Sequence, residues 1–298
     1  MSTEQISARY AGLDLWPTRD AVQAMLEGQL AAAAAVQSQA GAIAAAAEAA
    51  AERLRGDTGR LIYIGAGTSG RLAVQDGVEL GPTYDWPEDR TLYLLAGGLD
   101  AMLTGVEGAE DDEAAAEAEI ARAAVTASDV AIGVAASGRT PYTLAALRAA
   151  RAAGALTIGI ASNATTPILD AAEHPILIET GAEIVAGSTR MKAGTAQKIA
   201  RTLLSTATML RLGRVHDGLM VDMRLSNRKL RARAAGMVSE IAGVDRTAAE
   251  QALERAGGRI KPAVLVALGA EPDAARRALD QAGGNLRDAL SAQRQLQG

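Results

Sequence analysis

The sequence holds no cysteine and no phenylalanine, only 2 histidines, and aromatic residues fill just 2% of its 298 positions. Each scarcity removes a class of function. Without cysteine there is neither a disulfide framework nor a thiolate metal site. His174 and His216 share no ligand spacing with carboxylates, so the reading expects no metal and no cofactor. Few aromatics leave little for nucleic-acid bases to stack on. A net charge of −5 and a pI near 5.3 oppose a nucleic-acid or anionic-membrane surface. Long hydrophobic runs are missing too: the most apolar helical stretch, Ala31 to Ala51, is broken by Gln37, Ser38, Gln39, Gly41 and Glu48, which argues against a membrane span. Met1 to Gln5 carry no basic and then apolar leader. The expected location is the cytoplasm.

What is present is aliphatic. Hydrophobic residues make up 49% of the chain, and this length buries one large core plus a smaller satellite. Alanine is the strongest helix former, so the Ala-rich region from Thr18 to about Arg55 reads as helix, with Thr18 as its cap. Five apolar runs follow, at Leu61 to Ile64, Thr91 to Leu95, Asp129 to Ala135, Ala155 to Ile160 and Pro175 to Glu179, with helical patterns between them. Alternation of this kind predicts an α/β fold, a doubly wound five-stranded parallel sheet with ligands at the carboxyl ends of its strands. From about Ala235 the pattern changes to short helices punctuated by Ala256-Gly257-Gly258 and Ala282-Gly283-Gly284, with Pro262 and Pro272 as helix starts. The expected division is an N-terminal helical segment over 1–55, the sheet domain over 56–234 and a small three-helix domain, similar to ubiquitin-associated folds, over 235–298.

Two strand-to-helix turns carry the chemistry. Leu61 to Ile64 run into Gly65-Ala66-Gly67-Thr68-Ser69-Gly70, and Asp129 to Ala135 run into Ala136-Ser137-Gly138-Arg139-Thr140-Pro141. Glycines let the backbone approach an anion, and the amides and dipole of a helix start favour its charge. The first turn also fits G-x-G-x-x-G, but a dinucleotide site expects a carboxylate at the end of the second strand, and that strand ends in Ala96-Gly97-Gly98. Either turn alone is equally an ordinary connection capped by a hydroxyl. As a pair they point to one phosphorylated sugar.

A further helix opens at Gly187-Ser188-Thr189-Arg190-Met191-Lys192 and reaches about Leu212. Ser188 or Thr189 is its expected cap. Lys192 in the first turn opposes the helix dipole, so its amides and its charge are expected near an anion.

Four ordered segments then resemble the signature motifs of N-acetylmuramic acid 6-phosphate etherases: Gly65 to Leu72, Val106 to Asp111, Ala136 to Tyr142 and Gly187 to Thr195. The resemblance covers nearly the whole chain. Asp76-Gly77-Val78-Glu79-Leu80-Gly81-Pro82-Thr83 departs from the common family pattern Asp-Ala-Ser-Glu-Cys-Pro-Pro-Thr while keeping its Glu. It implies a sugar isomerase (SIS) domain and cleavage of a D-lactyl ether by elimination and water addition, with Glu79 as the acid and Glu110 as the base. It further implies that Thr68, Ser69, Ser137, Gly138 and Thr140 hold the 6-phosphate of an amino sugar, with Ser188, Thr189 and Lys192 nearer the sugar or its carboxylate. A homodimer with the site near its interface is expected, because ten residues of helix from Ser69 would carry Glu79 about 15 Å from the phosphate turn unless Gly77 breaks that helix. The rival functions are a non-catalytic sugar-phosphate sensor and an aldose-ketose isomerase.

Overall fold

A computed structural model of the chain describes residues 2–297. Strands β1 (Leu61–Gly65), β2 (Thr91–Leu95), β3 (Val130–Val134), β4 (Leu156–Ala161) and β5 (His174–Leu177) form one parallel sheet in the order β2-β1-β3-β4-β5. All five expected runs are strands, and the sheet is doubly wound as the alternation predicts. β1, β3 and β4 are buried along their whole lengths, which explains continuous Val, Ile, Leu and Ala runs in place of alternation.

The Ala-rich region is two helices, not one: α1 (Thr18–Gln37) and α2 (Ala40–Leu54) are bent 59° apart. At the break Ser38 Oγ donates to the Ala35 carbonyl at 2.9 Å, a local bond that competes with the helix ladder. Pro17, rather than Thr18, occupies the cap position of α1. No single helix among the described residues is long and apolar enough to cross a membrane.

Helix α2 packs on β3, β4 and β5. α5 (Glu113–Arg122) and α6 (Pro141–Ala152) join a core with Ile62, Ile64 and Ala131. Between the strands lie α3 (Gly67–Val78), α4 (Leu80–Tyr84) and α7 (Pro167–Ala171), and after β5 comes α8 (Lys192–Arg211).

The chain divides into two compact units, 1–77 with 89–208 and 78–88 with 209–298. The second contains α4 and five further helices where three were expected: α9 (Arg228–Ala242), α10 (Arg246–Arg255), α11 (Ile260–Ala267), α12 (Pro272–Gln281) and α13 (Leu286–Gln297). The expected border at 235 falls inside α9. The two Ala-Gly-Gly signals mark only two of the breaks. Gly243, left-handed at φ 68°, ends α9, and Asp245 then caps α10 by accepting the Ala248 amide at 2.9 Å. Val221, Val238, Leu253, Val264, Leu265 and Leu290 centre the core of this unit.

Candidate active site

The first glycine turn joins β1 to α3. Strand end and helix start touch through backbone alone: a β-carbon on Gly65 would stand 2.8 Å from Gly70 Cα. Thr68 and Ser69 are half-buried in the first helical turn. Ser69 is anchored twice, since its Oγ donates to Gln197 Oε1 at 2.9 Å and its carbonyl accepts from Arg201 Nη1 at 3.1 Å.

In the second turn, Ser137 Oγ accepts the Arg139 amide at 3.1 Å, which leaves the Ser137 hydrogen for another acceptor. Gly138 is left-handed at φ +67°, and a β-carbon there would overlap Thr166 Oγ1; glycine meets both demands. Thr140 holds the cap position of α6 without a side-chain cap bond, and Pro141 follows as the first helical residue.

Topology puts the two turns side by side. β1 and β3 are neighbours, with Gly65 opposite Val134, while β2 lies on the other flank of β1. The strand order therefore reverses between β1 and β3, and open α/β sheets bind ligands outside such a switch point.

The start of α8 lies against the first turn, because a β-carbon on Gly194 would stand 3.6 Å from Thr68 Cγ2. Its capping differs from expectation. Neither Ser188 nor Thr189 caps it; Glu183, fully buried, accepts the amides of Lys192 and Ala193 at 2.9 Å each. Those amides are therefore spent inside the protein rather than offered to a ligand. Lys192 Nζ donates to the Ala182 carbonyl at 2.8 Å. Burial lowers its pKa and Glu183 opposes that shift. Ser188 and Thr189 are half-buried beside it.

Glu110 is exposed on a 3-10 turn, Ala109–Asp111, that lies against α6, with the half-buried Ala109 packed on the core. Glu79 stands between α3 and α4 and is exposed, as is Val78, whereas Val74 and Leu80 are buried. Glu79 therefore faces solvent rather than an apolar pocket. Gly77 does not break α3 either; it is buried inside the helix, where a β-carbon would strike the rings of Tyr93 at 2.6 Å and Tyr63 at 2.9 Å. The helix ends one residue later, at Val78.

Sequence reasoning missed a buried polar network behind the first turn. Tyr63 Oη donates to Asp76 Oδ2 at 3.1 Å, and Thr202 Oγ1 donates to Asp76 Oδ1 at 3.3 Å. Arg201 is fully buried, and that burial brings its pKa down to about 10 against the opposing pull of Asp76. Burial and Asp76 push the Tyr63 hydroxyl well above its ordinary value. Gln197 and Arg201 fall at i and i+4 on the face of α8 that also buries Ala193, Ala196, Ala200 and Leu204. Two long polar side chains in an apolar stripe are the signal that would have revealed them. Among the described residues no group of three or more His, Asp or Glu is placed to hold a metal.

Comparison with known proteins agrees with this architecture. The model for the glucokinase regulatory protein N-terminal SIS domain matches residues 42–151, and that for the SIS domain matches 111–210. An N-acetylmuramic acid 6-phosphate etherase of Deinococcus radiodurans is 49% identical over 273 residues, covering 90% of this chain and 89% of that protein. One from Streptomyces coelicolor is 46% identical over 269 residues, 90% of this chain and 86% of its own length. The crystal structure of a candidate phosphosugar isomerase from Bacteroides fragilis NCTC 9343 shares the fold at a TM-score of 0.50 and 20% identity, covering 68% of this chain and 99% of that one. With such identity across nearly its full length, the chain belongs to the family of N-acetylmuramic acid 6-phosphate etherases.

Proposed function

We propose that the protein cleaves the D-lactyl ether of N-acetylmuramic acid 6-phosphate, giving N-acetylglucosamine 6-phosphate and D-lactate. The observation that carries this reading is the 49% identity to an etherase of that name, in a chain whose two hydroxyl-bearing turns flank the switch point of the sheet. Thr68, Ser69, Ser137, Gly138 and Thr140 hold the 6-phosphate, as donors in two helix-start turns. Ser188, Thr189 and Lys192 approach the sugar or its lactyl carboxylate, Lys192 by charge.

The chemistry follows from the substrate. An alkyl ether oxygen leaves poorly, but the aldehyde of the open-chain sugar acidifies the proton on carbon 2. Glu110 removes that proton, the electron pair forms the double bond to carbon 3, and Glu79 protonates the departing ether oxygen, so lactate leaves as its hydroxy acid. Water then adds to carbon 3 of the unsaturated aldehyde and carbon 2 is reprotonated. One base and one acid suffice.

A homodimer completes the reading. The outer side of α1 carries Val22, Leu26 and Leu30, all exposed at a spacing of four. An apolar stripe of this kind is suited to a second copy of the chain.

Lactate release from N-acetylmuramic acid 6-phosphate, followed with purified protein, tests the function. Release with the 6-phosphate and none from the unphosphorylated sugar is expected. Binding without release would instead make the protein a sensor, and conversion to a ketose phosphate would make it an isomerase.

A further inference from the structure

A phosphate oxygen only accepts hydrogen bonds, so every group that holds it must donate. Ser69 has a single hydrogen to give. As the side chains stand, that hydrogen is committed to Gln197 Oε1 at 2.9 Å. Gln197 itself is 1% exposed, and its Nε2 has no hydrogen-bond partner among the described residues, although leaving a buried donor unpaired is costly. Both features change together when the amide turns over. Amide O and N have nearly the same shape, and the surrounding hydrogen bonds decide between them.

In the turned orientation the amide NH2 faces Ser69 Oγ and donates to it, and the Ser69 hydrogen is released. Arg201, one helical turn along, suits this arrangement. Its Nε donates to the Gln197 backbone carbonyl at 3.0 Å and its Nη1 to the Ser69 backbone carbonyl at 3.1 Å, while its Nη2 is buried without a partner among the described residues. The guanidinium is thus fixed against both residues and can only donate.

We propose that Gln197 is a positioning residue of the phosphate subsite: when a phosphosugar is bound, its amide donates to Ser69 Oγ, and this frees the Ser69 hydrogen for a phosphate oxygen. The inference rests on the reading that the first turn holds the 6-phosphate, and its test separates the two.

Steady-state kinetics with N-acetylmuramic acid 6-phosphate would compare the parent with Ser69→Ala, Gln197→Glu, Gln197→Met and the double variant Ser69→Ala/Gln197→Glu. A carboxylate accepts from Ser69 and cannot donate to it, so Gln197→Glu is expected to raise KM about 10-fold, as Ser69→Ala does, with kcat within about 3-fold. In the Ser69→Ala background the same change should add less than about 3-fold, because the hydrogen it traps is already gone. Gln197→Met traps no hydrogen and should raise KM less than Ser69→Ala; this arm decides if the carboxylate variant does not fold. An unchanged KM in folded Gln197→Glu, an undiminished penalty in the Ser69→Ala background, or a Met penalty matching that of Ser69→Ala would each overturn the role of Gln197. A Ser69→Ala variant with parental KM would instead remove the phosphate from this turn, and the proposal with it.

Discussion

Glu183 caps the helix that Lys192 opens. Its carboxylate, wholly buried, takes the backbone amides of Lys192 and Ala193 at 2.9 Å each. This places a negative charge at the positive end of the helix dipole, where anions are most favourable. A loop carboxylate nine residues upstream thereby holds the start of α8, and with it the register of Gln197 and Arg201 behind the first glycine turn. The side chain of Lys192 is turned aside to the Ala182 carbonyl.

Replacing Glu183 by Ala should accordingly cost about 3 kcal/mol, from two charge-assisted bonds lost and two amides left unpaired. Glu183→Gln, which keeps an acceptor but loses the charge, should cost roughly half as much. Urea unfolding of both variants checks this, and an Ala variant as stable as the parent would show that water or Ser188 caps the helix equally well.

A second buried carboxylate sets a pH dependence. Burial alone would raise the Asp129 pKa, but the Arg60 side chain and the amides of Thr126 and Arg60 outweigh it and hold the carboxyl below the ordinary range. Arg60 binds it through Nε at 3.0 Å and Nη2 at 2.7 Å. A depressed folded-state pKa gives stability that is complete above the unfolded value, about 4, and that fades as pH falls through the folded value. Asp129→Asn should therefore cost about 3 kcal/mol at pH 7. The gap to the parent should narrow below about pH 4. Chemical unfolding at pH 7, 5 and 3 measures the gap, and one that stays constant would rule out the ion pair as its source.

The central strands β1, β3 and β4 were legible because burial on both faces writes unbroken apolar runs, and both glycine turns because anion-cradling turns need glycine and hydroxyls in series. Local sequence could not reveal what approaches from afar. Ser69 meets Gln197 across 128 positions and Arg201 across 132, and neither pairing leaves a spacing to read. The exposure of Glu79 is hidden for a related reason: it lies between Val78 and Leu80 in the sequence, yet α3 ends at Val78 and both Val78 and Glu79 face solvent. Gly77 reads as a helix breaker until the rings of Tyr63 and Tyr93 are seen against it.

Gly138 tests the second turn. An alanine there would need the left-handed conformation, costing about 1–2 kcal/mol, and would also overlap Thr166 Oγ1. Gly138→Ala should thus lower stability by more than about 2 kcal/mol and displace the Ser137 and Thr140 hydroxyls. The KM for the phosphosugar should rise at least 10-fold, because a phosphate anchor is bound equally in ground and transition states. Parental KM and stability together would mean that Thr166 yields freely and that this turn is not rigid.

The proposed roles of Glu110 as base and Glu79 as acid predict separate proton transfers. Glu110→Gln should abolish exchange of the carbon 2 proton with solvent deuterium, because no other group is assigned to take it, and lactate release should vanish with it. Glu79→Gln should leave the exchange running, since the base survives, while release falls for want of a proton on the ether oxygen. Each loss should reach on the order of 10²-fold or more, the usual contribution of a positioned acid or base. Exchange is followed by the loss of the carbon 2 proton signal in heavy water, and release by a coupled lactate assay on the same sample. Mixing the two inactive variants adds the subunit question: if the glutamates of one site come from different protomers, heterodimers regain one intact site and part of the activity. Release at the parental rate from Glu79→Gln, or continued exchange in Glu110→Gln, would show that the acid and base have been assigned to the wrong residues.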